Sequence, residues 1–216
     1  MKIVVLGASG GCGKHLVSQA RDRGHEVTAA VRGAGYVPPA GVTVLRGDLA
    51  DIAFLREAVR GKEAVLSALG LRLSSIAPWG EPEVPDFLSK STPAIAAAMK
   101  AEGTRRIIAI SAGGVGDSRA KVPAFFRAFI ATTSLRRVYP ELERMERALF
   151  ASGLDVCIAR PTGLTDGPVT GVVKVVEGMA GRATISRADV AAWMLGELES
   201  PAYSNRAPMI TVTGAP

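Results

Sequence analysis

Short, continuous apolar runs alternate along the chain with longer stretches in which apolar residues recur every three or four positions. The first kind predicts buried strands, and the second predicts helices with one face turned inward. Strands are expected at Lys2–Leu6, Glu26–Val31, Gly41–Leu45, Glu63–Leu69, Arg105–Ser111, Leu154–Pro161 and Met209–Val212. Helices are expected at Lys14–Arg23, Asp51–Arg60, Pro93–Glu102, Pro123–Ala131, Tyr139–Ser152 and Arg187–Glu199. Ile52, Leu55 and Val59 set the helical spacing in one of them, and Val190, Trp193, Met194 and Leu198 repeat it near the end. Val169–Glu177 alternates like a short strand. Apolar strands with a helix after most of them imply a doubly wound, mostly parallel α/β sheet with helices on both faces.

Three stretches stand outside that rhythm. Gly33–Gly41 is a loop rich in Gly and Pro, and Leu71–Ser91 is a longer one holding Pro78, Pro82 and Pro85 around Trp79. A loop of that length is uncommon without a purpose, and substrate contact is the usual one. Phe125, Phe126 and Phe129 crowd the expected helix Pro123–Ala131. Core packing or a dimer face is the first reading of those rings, and a lid over a planar substrate is the second.

The chemistry begins between the first strand and helix, at Gly7-Ala-Ser9-Gly10-Gly11-Cys12-Gly13. Gly7, Gly10 and Gly13, spaced i, i+3 and i+6, let the chain turn sharply, approach a pyrophosphate and pack the helix on the strand. The N–H groups and positive dipole end of that helix then face the phosphate charge. Strand, turn and helix in this order predict a dinucleotide site that includes Ser9, Gly11 and Cys12. Where a carboxylate would accept from the ribose hydroxyls of NAD, the second strand ends in Arg32. A guanidinium grips a 2′-phosphate instead, so the expected cofactor is NADP(H), with Arg72 as a second partner.

Further contacts are expected at the other strand ends. Asp48, followed by Leu49, is a candidate acceptor for the adenine amino group, or alternatively part of the cap of the Asp51–Arg60 helix. Leu69 and Gly70 close the fourth strand, where glycine permits backbone approach to ribose and phosphate. Ser111 ends the fifth strand, and its hydroxyl can donate to a substrate carbonyl or to the cofactor's carboxamide, which makes it the candidate catalytic residue. Thr162–Pro168 is expected to turn back over the nicotinamide, bringing Pro161 and Thr162 to the site.

Composition narrows the field. At 216 residues the chain suits one domain over residues 1–216, with substrate-site elements gathered in about 162–216. A net charge of +6 raises the question of nucleic acid. Acidic residues interleave with the basic ones and no groove-reading or stacking motif accompanies them, so a phosphate-rich cofactor and an anionic substrate account better for the excess. No apolar run approaches the ~20 residues of a membrane span, and a cytoplasmic protein is expected. Cys12 and Cys157 make no framework, and His15 and His25 have no ligating neighbours, so no metal is expected. Cys12 reads as a small residue filling the turn, with a redox-sensitive thiol as the alternative. A monomer or weak homodimer is expected.

Together, Gly7-Ala-Ser-Gly10-x-x-Gly13, Val31-Arg32, Gly47-Asp48, Ser111, Ser152-Gly-Leu-Asp155, Arg160-Pro161 and Leu164-Thr-Asp-Gly-Pro168 resemble the atypical short-chain dehydrogenase/reductases, NAD(P)H-binding proteins of Rossmann fold. Within them the likeness is to the biliverdin reductase B and flavin reductase group, and Ser186-Arg-Ala-Asp189 extends it. The Tyr-x-x-x-Lys pair of other short-chain dehydrogenases is missing, since Glu143 follows Tyr139 at that spacing. The resemblance implies a reductase passing hydride from NADPH to a planar conjugated acceptor such as a flavin, quinone or tetrapyrrole, with Ser111 orienting the partners. The alternatives are an NADP(H)-binding regulator or assembly factor without turnover, and an epimerase or dehydratase with Glu143 or Glu146 as base.

Overall fold

The computed structural model describes residues 1–212, so the last four residues of the expected substrate-site region lie outside it. Among the described residues, eight strands form one sheet in the order β3-β2-β1-β4-β5-β6-β10-β8. They are β1 (Lys2–Leu6), β2 (Glu26–Val31), β3 (Thr43–Arg46), β4 (Ala64–Ser67), β5 (Arg106–Ile110), β6 (Asp155–Pro161), β8 (Lys174–Val176) and β10 (Met209–Thr211). All neighbours pair in parallel except β10 with β8. β7 (Gly163–Thr165) and β9 (Thr184–Ser186) pair separately, beyond the end of β6. This is the Rossmann fold, with its crossovers made by helices.

Two cores explain why the central strands are apolar throughout. Ile3 and Val5 of β1 and Ile108 of β5 point to the face covered by α1 (Gly11–Asp22) and α6 (Arg187–Glu199). Val4, Leu6, Ile107 and Ala109 point to the other, under α2 (Ile52–Val59), α3 (Phe87–Glu102) and α5 (Leu135–Phe150). Alternate residues enter opposite cores, so no polar face remains.

The helix ends depart from expectation where prolines lie. α3 begins at Phe87 rather than Pro93, and α5 begins at Leu135 rather than Tyr139, leaving Pro93 and Pro140 inside. The long loop is correspondingly shorter, with a Leu73–Pro82 bridge across it. α1 starts at Gly11, β3 is shifted to Thr43–Arg46, and only Lys174–Val176 of the Val169–Glu177 stretch is strand. A 3₁₀ helix at Gly116–Lys121 and the β7–β9 pair had no signal in the sequence pattern. In α4 (Ala124–Thr132) no residue is fully buried: Phe126 packs against the small cluster of Val122, Met179, Ala183 and Met209, while Phe125 and Phe129 stand exposed.

Candidate functional site

The strand order reverses between β1 and β4, so the chains leaving their carboxyl ends diverge and open a crevice. A cleft of about 480 Å³ lies there. Gly7, Ser9, Gly10 and Gly11 form its wall at the turn, and Leu69 and Gly70 face them from the end of β4. Arg32, Asp48, Leu49 and Arg72 close the far end, so ten of the expected cofactor residues meet in one cavity.

The turn needs its glycines for two different reasons. Gly7 has φ +76°, and a Cβ there would sit 2.8 Å from the carbonyl oxygen of Ala68. At Gly13 a Cβ would come within 2.1 Å of the Gly7 carbonyl oxygen, because α1 packs backbone to backbone on the turn. The glycine turn therefore passes close to the end of β4 and leaves the start of α1 beside the cleft. That helix has Gly10 at its cap, with no capping side chain and no acid in its first turn. Its positive end is left for a ligand's charge, and the residues present fit a pyrophosphate.

Three cations surround the far end of the crevice. Arg32 and Arg72 line the cleft, while Lys14 and Arg72 line an adjoining hollow with Ser9 and Tyr36. Their side chains make no hydrogen bond or ion pair among the described residues. Asp51 caps α2 by accepting from the Ala53 N–H at 2.8 Å, while Asp48 accepts from Ala50 N–H at 3.0 Å just before that helix and also lines the cleft.

Five expected residues lie off this cavity. The backbone of Gly13 is packed against the turn, as above. Cys12 turns its side chain into the core, and burial pushes the thiol up to about 11 despite the nearby Arg187, in keeping with a small residue filling the turn. Pro161 uses its carbonyl to accept from Gly113 N–H, and Thr162 donates to the Thr211 hydroxyl at 3.0 Å, so both serve the sheet. Ser111 differs from these four. It lies two residues past the Ser67–Ala109 pairing, level with Leu69, and its buried Oγ has no hydrogen-bond partner among the described residues.

Below Ser111 the loop is fixed from both sides. Tyr139 donates to the carbonyl of Gly113 at 3.1 Å, and its burial raises the phenol's pKa and keeps it protonated. Arg160 binds Glu146 through Nε and Nη2 and reaches Asp117 with Nη1 at 2.6 Å. Against the upward push of burial, the hydrogen bond and charge of Arg160 hold the Asp117 carboxyl below its usual range.

The model of a family described as NAD(P)H-binding matches residues 7–201. The chain belongs to that family. A Bacillus subtilis relative named an uncharacterized sugar epimerase, YhfK, is 30% identical over 96% of this chain and 92% of its own. Among solved structures, ChuY, an anaerobillin reductase from Escherichia coli O157:H7, has a TM-score of 0.79 at 23% identity, covering 100% of this chain and 99% of its own. A short-chain dehydrogenase/reductase from Veillonella parvula, solved in complex with NADP, has a TM-score of 0.81 at 18% identity, covering 100% and 98%. These two share the fold. No helix among the described residues is long and apolar enough to cross a membrane.

Membership of an NAD(P)H-binding family accounts for the open positive end of α1. Sequence reasoning missed several cleft residues: Phe54 of α2, which packs over Gly47; Glu83, Val84 and Phe87, which the folding of the long loop brings in; and Arg187 at the start of α6. The only local signal for Arg187 was its place beside a capping serine, since Ser186 accepts from Asp189 N–H.

Proposed function

We propose that the protein is an NADPH-dependent reductase whose acceptor is a planar conjugated molecule: a flavin, a quinone or a tetrapyrrole. The observation that carries this reading is the unpartnered hydroxyl of Ser111, 6% exposed at the tip of β5. A buried hydroxyl without a partner costs ~1–3 kcal/mol, and a ligand oxygen or amide restores its hydrogen bond. A bound reduced nicotinamide supplies the hydride. The chain's own contribution is orientation: the glycine turn receives the phosphates, Arg32 and Arg72 the 2′-phosphate, and Ser111 the carboxamide or the acceptor's carbonyl.

Among the described residues, neither candidate carboxylate is free to act as a base beside Ser111. Glu146 is buried against Arg160, and Glu143 faces solvent, which weighs against the epimerase reading that YhfK's name suggests. Tyr139 is committed to Gly113, so solvent is the proton source when the acceptor needs one. Fold likeness to ChuY supports keeping tetrapyrroles beside flavins and quinones as acceptors. The test is anaerobic oxidation of NADPH, with NADH in parallel, in the presence of FMN, a quinone or biliverdin. Turnover that prefers NADPH is expected. Tight NADPH binding with no turnover on any acceptor would replace the reductase by a cofactor-binding regulator.

A further inference from the structure

The side chain of Arg187 lies directly across the glycine turn. A Cβ built on Gly11 would be 2.8 Å from its Cδ and 2.9 Å from its Nε, so the arginine occupies the space over the first residue of α1. Its Nη1 is held 2.7 Å from Asp166 Oδ1, in the segment just after β7. The Arg187 side chain is 29% exposed and that of Asp166 89%. Arg187 also lines the cofactor cleft, together with Leu69 and Gly70. One positive charge and one positive helix end therefore share a wall of the cleft, the charge being paired with the exposed carboxylate of Asp166.

We infer that Arg187 is a pyrophosphate clamp and that Asp166 is its resting partner, exchanged for the cofactor's phosphates on binding. This rests on the NAD(P)H reading of the cleft. An ion pair this exposed contributes little, so releasing it costs little. A guanidinium–phosphate contact in a partly desolvated cleft is stronger, being charge-assisted and able to form two parallel bonds. The exchange also gives Gly11 a reason to lack a side chain: any Cβ would push Arg187 away from the turn. Because Asp166 and Arg187 flank β9 and the segment after β6, the exchange ties cofactor occupancy to the strands beyond the sheet's end, where the acceptor region is expected.

The clamp recognises what NADPH and NADH share, which separates it from Arg32. In titrations of the full-length protein, Arg187→Ala is expected to weaken NADPH and NADH by equal factors of roughly tenfold or more. Binding of 2′-AMP, which lacks the pyrophosphate, is expected to stay unchanged and to show that the adenosine end is intact. Arg187→Lys restores part of the loss, and Asp166→Ala tightens both cofactors by up to about fivefold. Unchanged cofactor binding in Arg187→Ala overturns the inference. Loss of 2′-AMP binding along with the cofactors overturns it too, since the arginine would then merely support the turn. If the unaltered protein binds neither NADPH nor NADH, the reading of the cleft itself fails.

Discussion

Arg160 and Glu146 face each other in a two-point contact, Nε to Oε1 at 3.0 Å and Nη2 to Oε2 at 2.5 Å, with both residues almost wholly buried. The pair joins β6 to α5 directly beneath the loop that follows Ser111, where a Cβ on Gly116 would lie 3.3 Å from Arg160 Nη2. Removing Glu146 leaves the buried Nε and Nη2 of Arg160 without an acceptor, with only Nη1 still held by the exposed Asp117, at a cost of up to about 3–5 kcal/mol. Glu146→Ala should therefore lower the midpoint of thermal unfolding by ~6–20 °C. Replacing both residues with apolar ones of similar volume should recover most of that loss. Calorimetry of the single and double variants checks it, and a near-neutral single variant would show that water reaches the pair.

Ser111 is expected to behave in the opposite way. Its hydroxyl has no partner among the described residues, so Ser111→Ala should leave thermal stability unchanged or slightly raised. Turnover should fall roughly 5- to 30-fold, the equivalent of about 1–2 kcal/mol, while cofactor affinity moves little. Steady-state rates and a parallel NADPH titration separate the two effects. Equal turnover in the variant would remove Ser111 from the site.

The cofactor half of the site was legible because its chemistry is local. A glycine turn between strand and helix, and an arginine at the next strand tip, are adjacent in sequence to the elements that aim them. The helix starts were hidden because their caps come from elsewhere. Asp86 precedes α3 with φ 58° and makes no side-chain cap. The Ser89 N–H is instead received by Glu141 of α5 at 3.0 Å, far along the chain. Likewise Ser134 at the head of α5 is tied to Ser75 and Ile76 in the long loop. Such tertiary partners outweigh the preference of Pro93 and Pro140 for a first turn. Arg187 escaped notice for the same reason, since only folding sets it over Gly11.

Selectivity between the two nicotinamide cofactors should reside in Arg32. It is exposed in the cleft and free of any ion pair among the described residues, so its charge is available to a 2′-phosphate. Arg32→Ala is expected to weaken NADPH by about 1.5–3 kcal/mol and to leave NADH nearly untouched. Isothermal titration with both cofactors measures the difference directly. Equal losses for the two would place the 2′-phosphate elsewhere, with Lys14 and Arg72 the next residues to vary.

Acid should loosen the segment after β7 first. Asp189, at the start of α6, accepts from Thr170 N–H at 2.7 Å, from the Thr170 hydroxyl, from Gly171 N–H and from the Ser186 hydroxyl. Burial pushes its carboxyl up, but these donors outweigh burial and hold it below the ordinary aspartate range. A carboxyl with a depressed folded-state pKa contributes stability that is complete above the unfolded value, about 3.9, and is lost as pH falls through the lower folded one. Between those two values protons bind the unfolded chain first and stability falls, and below the folded value Asp189 itself is protonated and the segment 168–172 loses its anchor. Asp189→Asn should remove this contribution at neutral pH and flatten the acid limb of the stability curve. Hydrogen exchange at Thr170 and Gly171 should rise in the variant and, in the unaltered protein, only under acid. Protection at those two amides that stays the same in Asp189→Asn would mean the segment is held by its other contacts.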